Sequence, residues 1–224
     1  MMKKYIIAID GTAASGKGTL ARNLAQILGF SYLDTGKLYR YIGYALLRDG
    51  ENPDEEAAAI RVAKTIQIDL HPEDLQNPAL GCDGVGQAAS KVAAISGVRT
   101  ILLEYQRNFA RNPPDAAKGV VLDGRDIGTV VCPEADFKLY IDAYIGIRAQ
   151  RRYKELQSKG ISLTYDTVLA DMQERDRRDS QRTASPMKPA EDAILLDTGA
   201  MSIDDVLEKA LLLIKGRLGI NPGQ

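Results

Sequence analysis

Lys4-Tyr5-Ile6-Ile7-Ala8-Ile9-Asp10-Gly11-Thr12-Ala13-Ala14-Ser15-Gly16-Lys17-Gly18-Thr19-Leu20 sets three local codes side by side near the start of the chain. Residues 5–9 are an apolar, β-branched run of strand length. Residues 11–17 fit G-x-x-x-x-G-K, and over residues 16–28 the apolar positions recur at helical spacing. Strand, glycine-rich turn and helix in that order are the context a phosphate-binding loop requires. Gly11 and Gly16 let the backbone wrap so that successive N–H groups point inward, and the new helix adds the positive end of its dipole. Lys17 supplies a mobile point charge able to follow a phosphate during transfer. The plain alternative is a βα turn that binds nothing, but the motif rarely falls by chance between the right elements. The position after Lys17 is Gly18, with the hydroxyl one later at Thr19, so the usual hydroxyl-to-magnesium contact is not in its place. A nucleoside triphosphate remains the best ligand for Gly11, Thr12, Ala13, Ala14, Ser15, Gly16, Lys17, Gly18 and Thr19.

Working outward, the 224 residues, 45% hydrophobic, suffice for a full core in one domain with insertions. The formal net charge of −1 gives no global field for nucleic acid or an anionic membrane, so any basic site must be local. No apolar run approaches the roughly 20 residues needed to span a bilayer. The Met1-Met2-Lys3-Lys4 flank precedes only a short apolar run ending at Asp10, which is not a signal-peptide pattern. Cys82 and Cys132 are isolated and His71 is the only histidine, against a zinc site, a Ser-His-Asp triad or a disulfide scaffold. No metal-ligand set is expected. A reduced cytoplasmic location and a monomer are.

The first helix should stop at Gly29, a left-handed cap, before a short strand over residues 30–33. That strand runs into Asp34-Thr35-Gly36-Lys37-Leu38-Tyr39-Arg40, a polar cluster where parallel sheets place ligands. Residues 48–83 carry nine Asp or Glu against three Lys or Arg, with Pro53, Pro72 and Pro78 breaking the pattern. A helix is expected over 53–64, a short strand over 65–70, and no regular element over 71–84. Residues 85–110 have helical spacing, with a break expected at Gly97. Further strands are expected over 119–122, 138–141 and 193–196, each ending in an aspartate: Asp123, Asp142 and Asp197. The last helix, 202–218, begins with Ser202, Asp204 and Asp205, and residues 221–224 read as a frayed tail. Short strands alternating with helices imply an α/β fold, a five-stranded parallel sheet with helices on both faces.

Residues 147–182 hold nine Lys or Arg against six Asp or Glu. Arg148, Arg151 and Arg152 open one helix, and a second is expected over about 164–182, with Arg175, Asp179 and Arg182 on one face. Alone this could be a solvated helix laced with ion pairs. Beside a phosphate loop, an arginine-rich helix–loop–helix suits a lid that closes on polyphosphate. If the acceptor were a hydroxyl, a carboxylate base over it would help. A phosphate monoester has a second pKa of about 6, is already largely the dianion near pH 7, and needs none. Bringing two anions together needs cations, and the chain supplies Arg40, Arg99, Arg125, Arg175 and Arg182 near the proposed rim. Phosphate-to-phosphate transfer is favoured. Phosphorylation of another nucleotide or a small alcohol, and a non-catalytic nucleotide switch, stay open.

Asp10-Gly11-x4-Gly16-Lys17-Gly18-Thr19, Leu33-Asp34-Thr35-Gly36-x2-Tyr39-Arg40, Asp123-Gly124-Arg125-Asp126-x-Gly128-Thr129-Val130-Val131 and Arg175-Asp176-x2-Asp179-x2-Arg182, in this order, resemble bacterial cytidylate kinases over nearly the whole chain. The resemblance implies a P-loop NTPase fold and transfer from ATP, with Mg2+, to CMP and dCMP. It implies one kinase domain: a core of about 1–64, 110–146 and 190–220, a nucleoside-monophosphate-binding insertion of about 65–109, and a lid of about 147–189. It implies that Lys17, Arg125 and Arg182 serve the transfer. Arg148 and Arg152 are candidate lid contacts to ATP, and the sequence does not choose among Arg148, Arg151 and Arg152. Arg40, Arg125 and Arg182 would hold the CMP phosphate, with Thr35 nearby. Ser90, Arg99 and Asp126 would read cytosine, while Arg175 and Asp179 would face the sugar. Cytosine presents an N4 donor, for which a carboxylate such as Asp126 is a natural acceptor. The GKGT spelling matches nucleoside monophosphate kinases, leaving magnesium to phosphates, water and other groups. The departure lies in residues 65–89, where the family usually inserts a longer sheet.

Overall fold

The computed structural model describes residues 4–71 and 73–220. The Met1-Met2-Lys3 flank, Pro72 and the tail expected as frayed lie outside the described residues. The five strands are β1 (Tyr5–Gly11), β2 (Ser31–Asp34), β3 (Gly119–Gly124), β4 (Phe137–Asp142) and β5 (Ile194–Asp197). All pair in parallel in the order β2-β3-β1-β4-β5. β1 is therefore central, and the phosphate loop leaves it at the carboxyl edge between its neighbours β3 and β4.

The period of two along each strand sorts the core into two layers. Ile7, Ile9, Val121, Leu139 and Ile141 point to one face, where α1 (Lys17–Leu28) and α8 (Ile203–Leu218) cover them with Leu20, Leu24, Leu28, Val206, Ala210 and Ile214. Ala8, Val120, Leu122 and Leu33 point to the other, against Ala110 of α5 (Ser96–Arg111) and a π-helical turn, Ile127–Val131. α1 ends at Gly29 with φ 65°, the expected left-handed stop. α8 begins with a full capping box between Ser202 and Asp205.

A second core joins α2 (Thr35–Arg48), α3 (Glu56–Asp69), α4 (Asp83–Val92) and α5 through Leu38, Ile42, Leu46, Val92, Val98 and Leu102. Here the sequence expectation is corrected. The strand expected over 65–70 is the end of α3. Thr65-Ile66-Gln67-Ile68 mimics strand alternation, but Ala59, Val62, Ala63 and Ile66 recur at i, i+3, i+4 and i+7 and are buried. The described residues between α3 and α4 hold only two single 3-10 turns, Asp74–Gln76 and Pro78–Gly81, and the end of the 71–84 stretch, expected to be irregular, is already helical as α4 starts at Asp83. Among the described residues no strand lies between β2 and β3, and helices and turns make up this segment. The break expected at Gly97 falls instead at residues 93–95. Gly97 sits in the first turn of α5 because Ile60 crosses over it; a Cβ there would lie 2.4 Å from Ile60 Cδ1.

α6 (Ile145–Ser158) and α7 (Tyr165–Gln181) form an antiparallel hairpin turning at Gly160, φ 73°. Its small core of Ala149, Leu156, Val168 and Met172 also takes in Ala13 of the loop. Arg175 and Asp179 share a face of α7, but Arg182 does not: it caps the helix end with extended backbone, and its Nε donates to the Ser185 carbonyl at 2.7 Å.

Candidate active site

The loop between β1 and α1 is shaped by contacts only small residues permit. At Gly11 a Cβ would lie 2.0 Å from the Ile141 carbonyl oxygen, and Gly16 and Ala14 have φ of 92° and 56°. Ser15 Oγ donates to the Thr12 carbonyl at 2.9 Å, and Thr12 Oγ1 donates to Asp142 Oδ1 at 2.6 Å. Lys17 Nζ stands 3.5 Å from the Thr12 carbonyl and 3.7 Å from Asp123 Oδ1.

The loop opens into a cavity of about 380 Å³. Ala14, Gly16, Lys17, Gly18 and Thr19 form its floor, Asp34, Asp123, Arg40 and Arg125 one wall, and Arg152 and Arg175 of the helical hairpin the other. Phosphate-binding backbone and guanidinium groups from three parts of the chain thus face one space. Arg40 is oriented by the Leu80 carbonyl at 2.7 Å, so the 3-10 turn Pro78–Gly81 positions it. Arg125 Nε donates to Asp179 Oδ2 at 3.1 Å, and Asp179 Oδ1 accepts from Ser90 Oγ at 3.2 Å. Arg152 binds Asp83 and Glu155, each at 2.9 Å.

Asp126 and Arg99 are a directly bonded pair, both buried, in a smaller space of about 160 Å³ lined by Tyr39, Gln106 and Ser185 as well. The Arg99 guanidinium lies over the Tyr39 ring, 5.4 Å from its centre. Arg182 Nη2 is 3.8 Å from Asp126 Oδ1. Thr35 is buried, its hydroxyl donating to the Asp123 carbonyl at 2.8 Å. Arg148 is one of several predicted residues that line neither space, together with Gly11, Thr12, Ser15, Thr35, Ser90, Asp179 and Arg182. It lies beside the loop rather than in the cavity wall, donating to the Ala143 carbonyl at 2.7 Å and the Ala13 carbonyl at 3.2 Å, and paired with Asp176 at 2.7 Å.

Burial dominates the electrostatics. It lowers the Lys17 ammonium below the ordinary lysine range, helped by the like charge of Arg125 and opposed by Asp123 and Asp34. Asp123 is raised by burial, with Lys17 opposing. Arg175 is lowered to about 10 by burial and by Arg125. Asp179 is held low by the guanidinium groups of Arg125, Arg175 and Arg182, which outweigh its burial. Among the described residues no group of three or more His, Cys, Asp or Glu is arranged to hold a metal alone.

Three structural partners went unread in the sequence. Asp10 accepts from the Ile127 and Gly128 amides at 2.8 and 2.7 Å, tying the loop strand to the Arg125-Asp126 segment. Asp142 and Thr198 hold the loop from the β4 and β5 ends, Thr198 Oγ1 donating to the Ser15 carbonyl at 2.9 Å. The advance signal was their position at the carboxyl ends of strands, Asp10 in β1, Asp142 closing β4 and Thr198 just past β5; Asp142 stood out as a strand end, but its contact with the loop did not.

With this geometry in view, comparison with known proteins is specific. The family model for cytidylate kinase matches residues 7–216. A cytidylate kinase of Paramagnetospirillum magneticum is 56% identical over 209 residues, 93% of this chain and 97% of that protein. One from Rhodospirillum rubrum is 53% identical over 92% of this chain and 95% of its own length. Among solved structures, shikimate kinase from Bacteroides thetaiotaomicron superposes with a TM-score of 0.50 at 12% identity, covering 94% of this chain and 98% of that one, a likeness of fold alone. The same fold likeness holds for an uncharacterized protein from Eubacterium ventriosum, with a TM-score of 0.54 at 14% identity, over 96% of this chain and all of that one. The chain belongs to the cytidylate kinase family.

Proposed function

We infer that this enzyme transfers the γ-phosphoryl group of ATP to CMP, and to dCMP, giving the diphosphates. The observation that carries the reading is the shared cavity: a phosphate loop with Lys17 faces Arg40, Arg125 and Arg175 across one space, cations enough for a triphosphate donor and a phosphate monoester acceptor in line. The loop amides and Lys17 hold the donor phosphates, and Arg152 meets them from the hairpin. Arg40 and Arg125 hold the acceptor phosphate, with Arg182 bearing on it from the end of α7. The acceptor is its own nucleophile as a dianion, so no side chain need remove a proton.

Residues about 147–189 act as the lid and about 65–109 as the acceptor-binding insertion. Their contact through Arg152–Asp83 and Asp179–Ser90 supports closure of one on the other. Ser90, Arg99 and Asp126 read the cytosine, with the Asp126 carboxylate accepting from its N4 amino group. Arg175 and Asp179 face the sugar. Magnesium fits the oxygen donors here. Asp34 and Asp123 are register partners at the ends of β2 and β3, both in the cavity wall, and a hard ion commonly takes one or two carboxylates beside phosphates and water. Bound there with ATP, it would neutralise charge on the phosphates. The protein works in the cytoplasm as a monomer. None of the described helices is long and apolar enough to cross a membrane. The test is turnover of a panel of nucleoside monophosphates with MgATP. CMP and dCMP should lead, and equal turnover of AMP, GMP or a small alcohol would overturn the assignment.

A further inference from the structure

Arg148 and Thr198 share an arrangement that the transfer scheme leaves unused. Both are buried, at 5% and 3% exposure, and both donate to a carbonyl of the phosphate loop from its outer side. Arg148 Nη1 takes the Ala13 carbonyl at 3.2 Å, and Thr198 Oγ1 takes the Ser15 carbonyl at 2.9 Å. In a planar trans peptide the carbonyl of one residue and the N–H of the next point in opposite directions. Fixing those two carbonyls outward therefore turns the Ala14 and Gly16 amides the other way, and both residues line the cavity.

The two donors are themselves held. Arg148 is tied to the Ala143 carbonyl at 2.7 Å, to Asp176 of α7 at 2.7 Å and to Asp142 at 3.6 Å. Its charge is met by protein carboxylates. Thr198 is fixed by Arg151, whose Nη2 donates to the Thr198 carbonyl at 2.6 Å, and by its own amide bond to Asp142 at 2.9 Å.

We propose that Arg148 and Thr198 are positioning residues that preset the phosphate loop, aiming the Ala14 and Gly16 amides at the donor phosphates. Arg148 also links that setting to the hairpin through Asp176. This rests on the assignment of the loop to the phosphate donor, and it gives Arg148 a different task from direct contact with ATP. A preset nest acts on any polyphosphate, whatever base it carries, and leaves the acceptor site untouched.

The test uses the full chain, with tripolyphosphate binding by calorimetry and KM values for ATP and CMP. Thr198→Val keeps shape and removes the hydroxyl, which donates to the Ser15 carbonyl at 2.9 Å, with the Asp142 carbonyl at 3.2 Å as a second acceptor, and accepts from Arg151 Nη1 at 3.3 Å. It should weaken tripolyphosphate binding and raise the KM for ATP by about threefold to tenfold, the range of one neutral hydrogen bond, with KM for CMP within about twofold. Thr198→Ser should restore both. Arg148→Lys keeps the charge but cannot reach all its partners, and should shift the same two quantities in the same direction. Unchanged triphosphate binding in both variants, or equal weakening toward CMP as a general packing defect would give, overturns the proposal. If the unmodified protein neither binds tripolyphosphate nor turns over CMP, the donor-site assignment fails first and takes this inference with it.

Discussion

Asp126→Asn tests the proposal that this carboxylate separates cytosine from uracil. The carboxylate is 5% exposed, directly bonded to Arg99 and 3.8 Å from Arg182. Its removal as a charge therefore has two consequences. The first is stability. Stripping the partner from buried guanidinium groups costs about 3–5 kcal/mol when nothing replaces it, a large part of a domain's total of about 5–15 kcal/mol. Asparagine keeps one oxygen acceptor for Arg99, so the loss should fall at or below the lower end, and the variant should remain folded at 25 °C. Alanine would not offer that protection. The second consequence is selectivity. A carboxylate accepts from the N4 amino group of cytosine and repels the O4 carbonyl of uracil, whereas the asparagine amide can donate to O4. One such pairing is worth about 1–3 kcal/mol of discrimination, roughly 5-fold to 150-fold. Because CMP loses and UMP gains, the ratio of kcat/KM for CMP over UMP should fall by at least about tenfold. A coupled assay measures it, with a melting curve to confirm folding. A ratio within about twofold of the unmodified enzyme would refute the base-reading role, and Asp126 would then be only the structural counter-ion of Arg99.

Lys17→Ala should cut kcat by about two orders of magnitude or more, read in the same assay, with little change in CMP affinity by calorimetry, because the lysine faces the donor. In the unmodified enzyme, kcat/KM for ATP should fall with rising pH before the ~10.4 of an ordinary lysine, because burial depresses Lys17, while kcat at saturating ATP holds to higher pH. Asp10 is raised by burial to about 7 from 3.8, so the native state binds more protons than the unfolded chain between those values. Its contribution to stability is full at low pH and is lost as pH rises toward 7, by a few kcal/mol in order of magnitude. Urea unfolding of Asp10→Asn should accordingly show a deficit against the unmodified protein that shrinks between pH 5 and pH 7.5. Gly97→Ala should destabilise by about 1–3 kcal/mol in the same assay, since its Cβ meets Ile60 Cδ1 at 2.4 Å.

What could be read in advance divides along physical lines. The strands, the phosphate loop and the aspartates at strand ends were legible because each is a local code: β-branched runs, a glycine pair at fixed spacing, a polar residue after an apolar run. Residues 65–70 misled because alternation over a few positions cannot be told from a helix end until the packing partner, here α5, is known. Gly97 misled for a related reason, as its lack of a side chain serves close approach by Ile60 and not a bend. Arg148 was legible as a basic residue near the lid but not as one already engaged. Its partners Ala13 and Asp176 lie far off in sequence, and only the fold brings them together.

The engaged state of the arginines bears on how the acceptor binds. Around the cavity Arg125 is paired with Asp179, Arg152 with Asp83 and Glu155, and Arg40 with the Leu80 carbonyl. An arriving phosphate must compete with these partners and gains only the difference at each. Arg175 stands apart. Its buried Nε has no hydrogen-bond partner among the described residues, and burial together with the like charge of Arg125 lowers its pKa to about 10. An anion brought beside it satisfies an orphaned donor and offsets the repulsion between two guanidinium groups at once. Much of the net driving force for seating a polyanion should therefore arise at Arg175, with Arg40 and Arg125 setting orientation. This also accounts for transfer without a general base. A phosphate monoester is already largely the dianion near pH 7, and guanidinium groups beside it favour that form over the protonated one, so no side chain has to remove a proton.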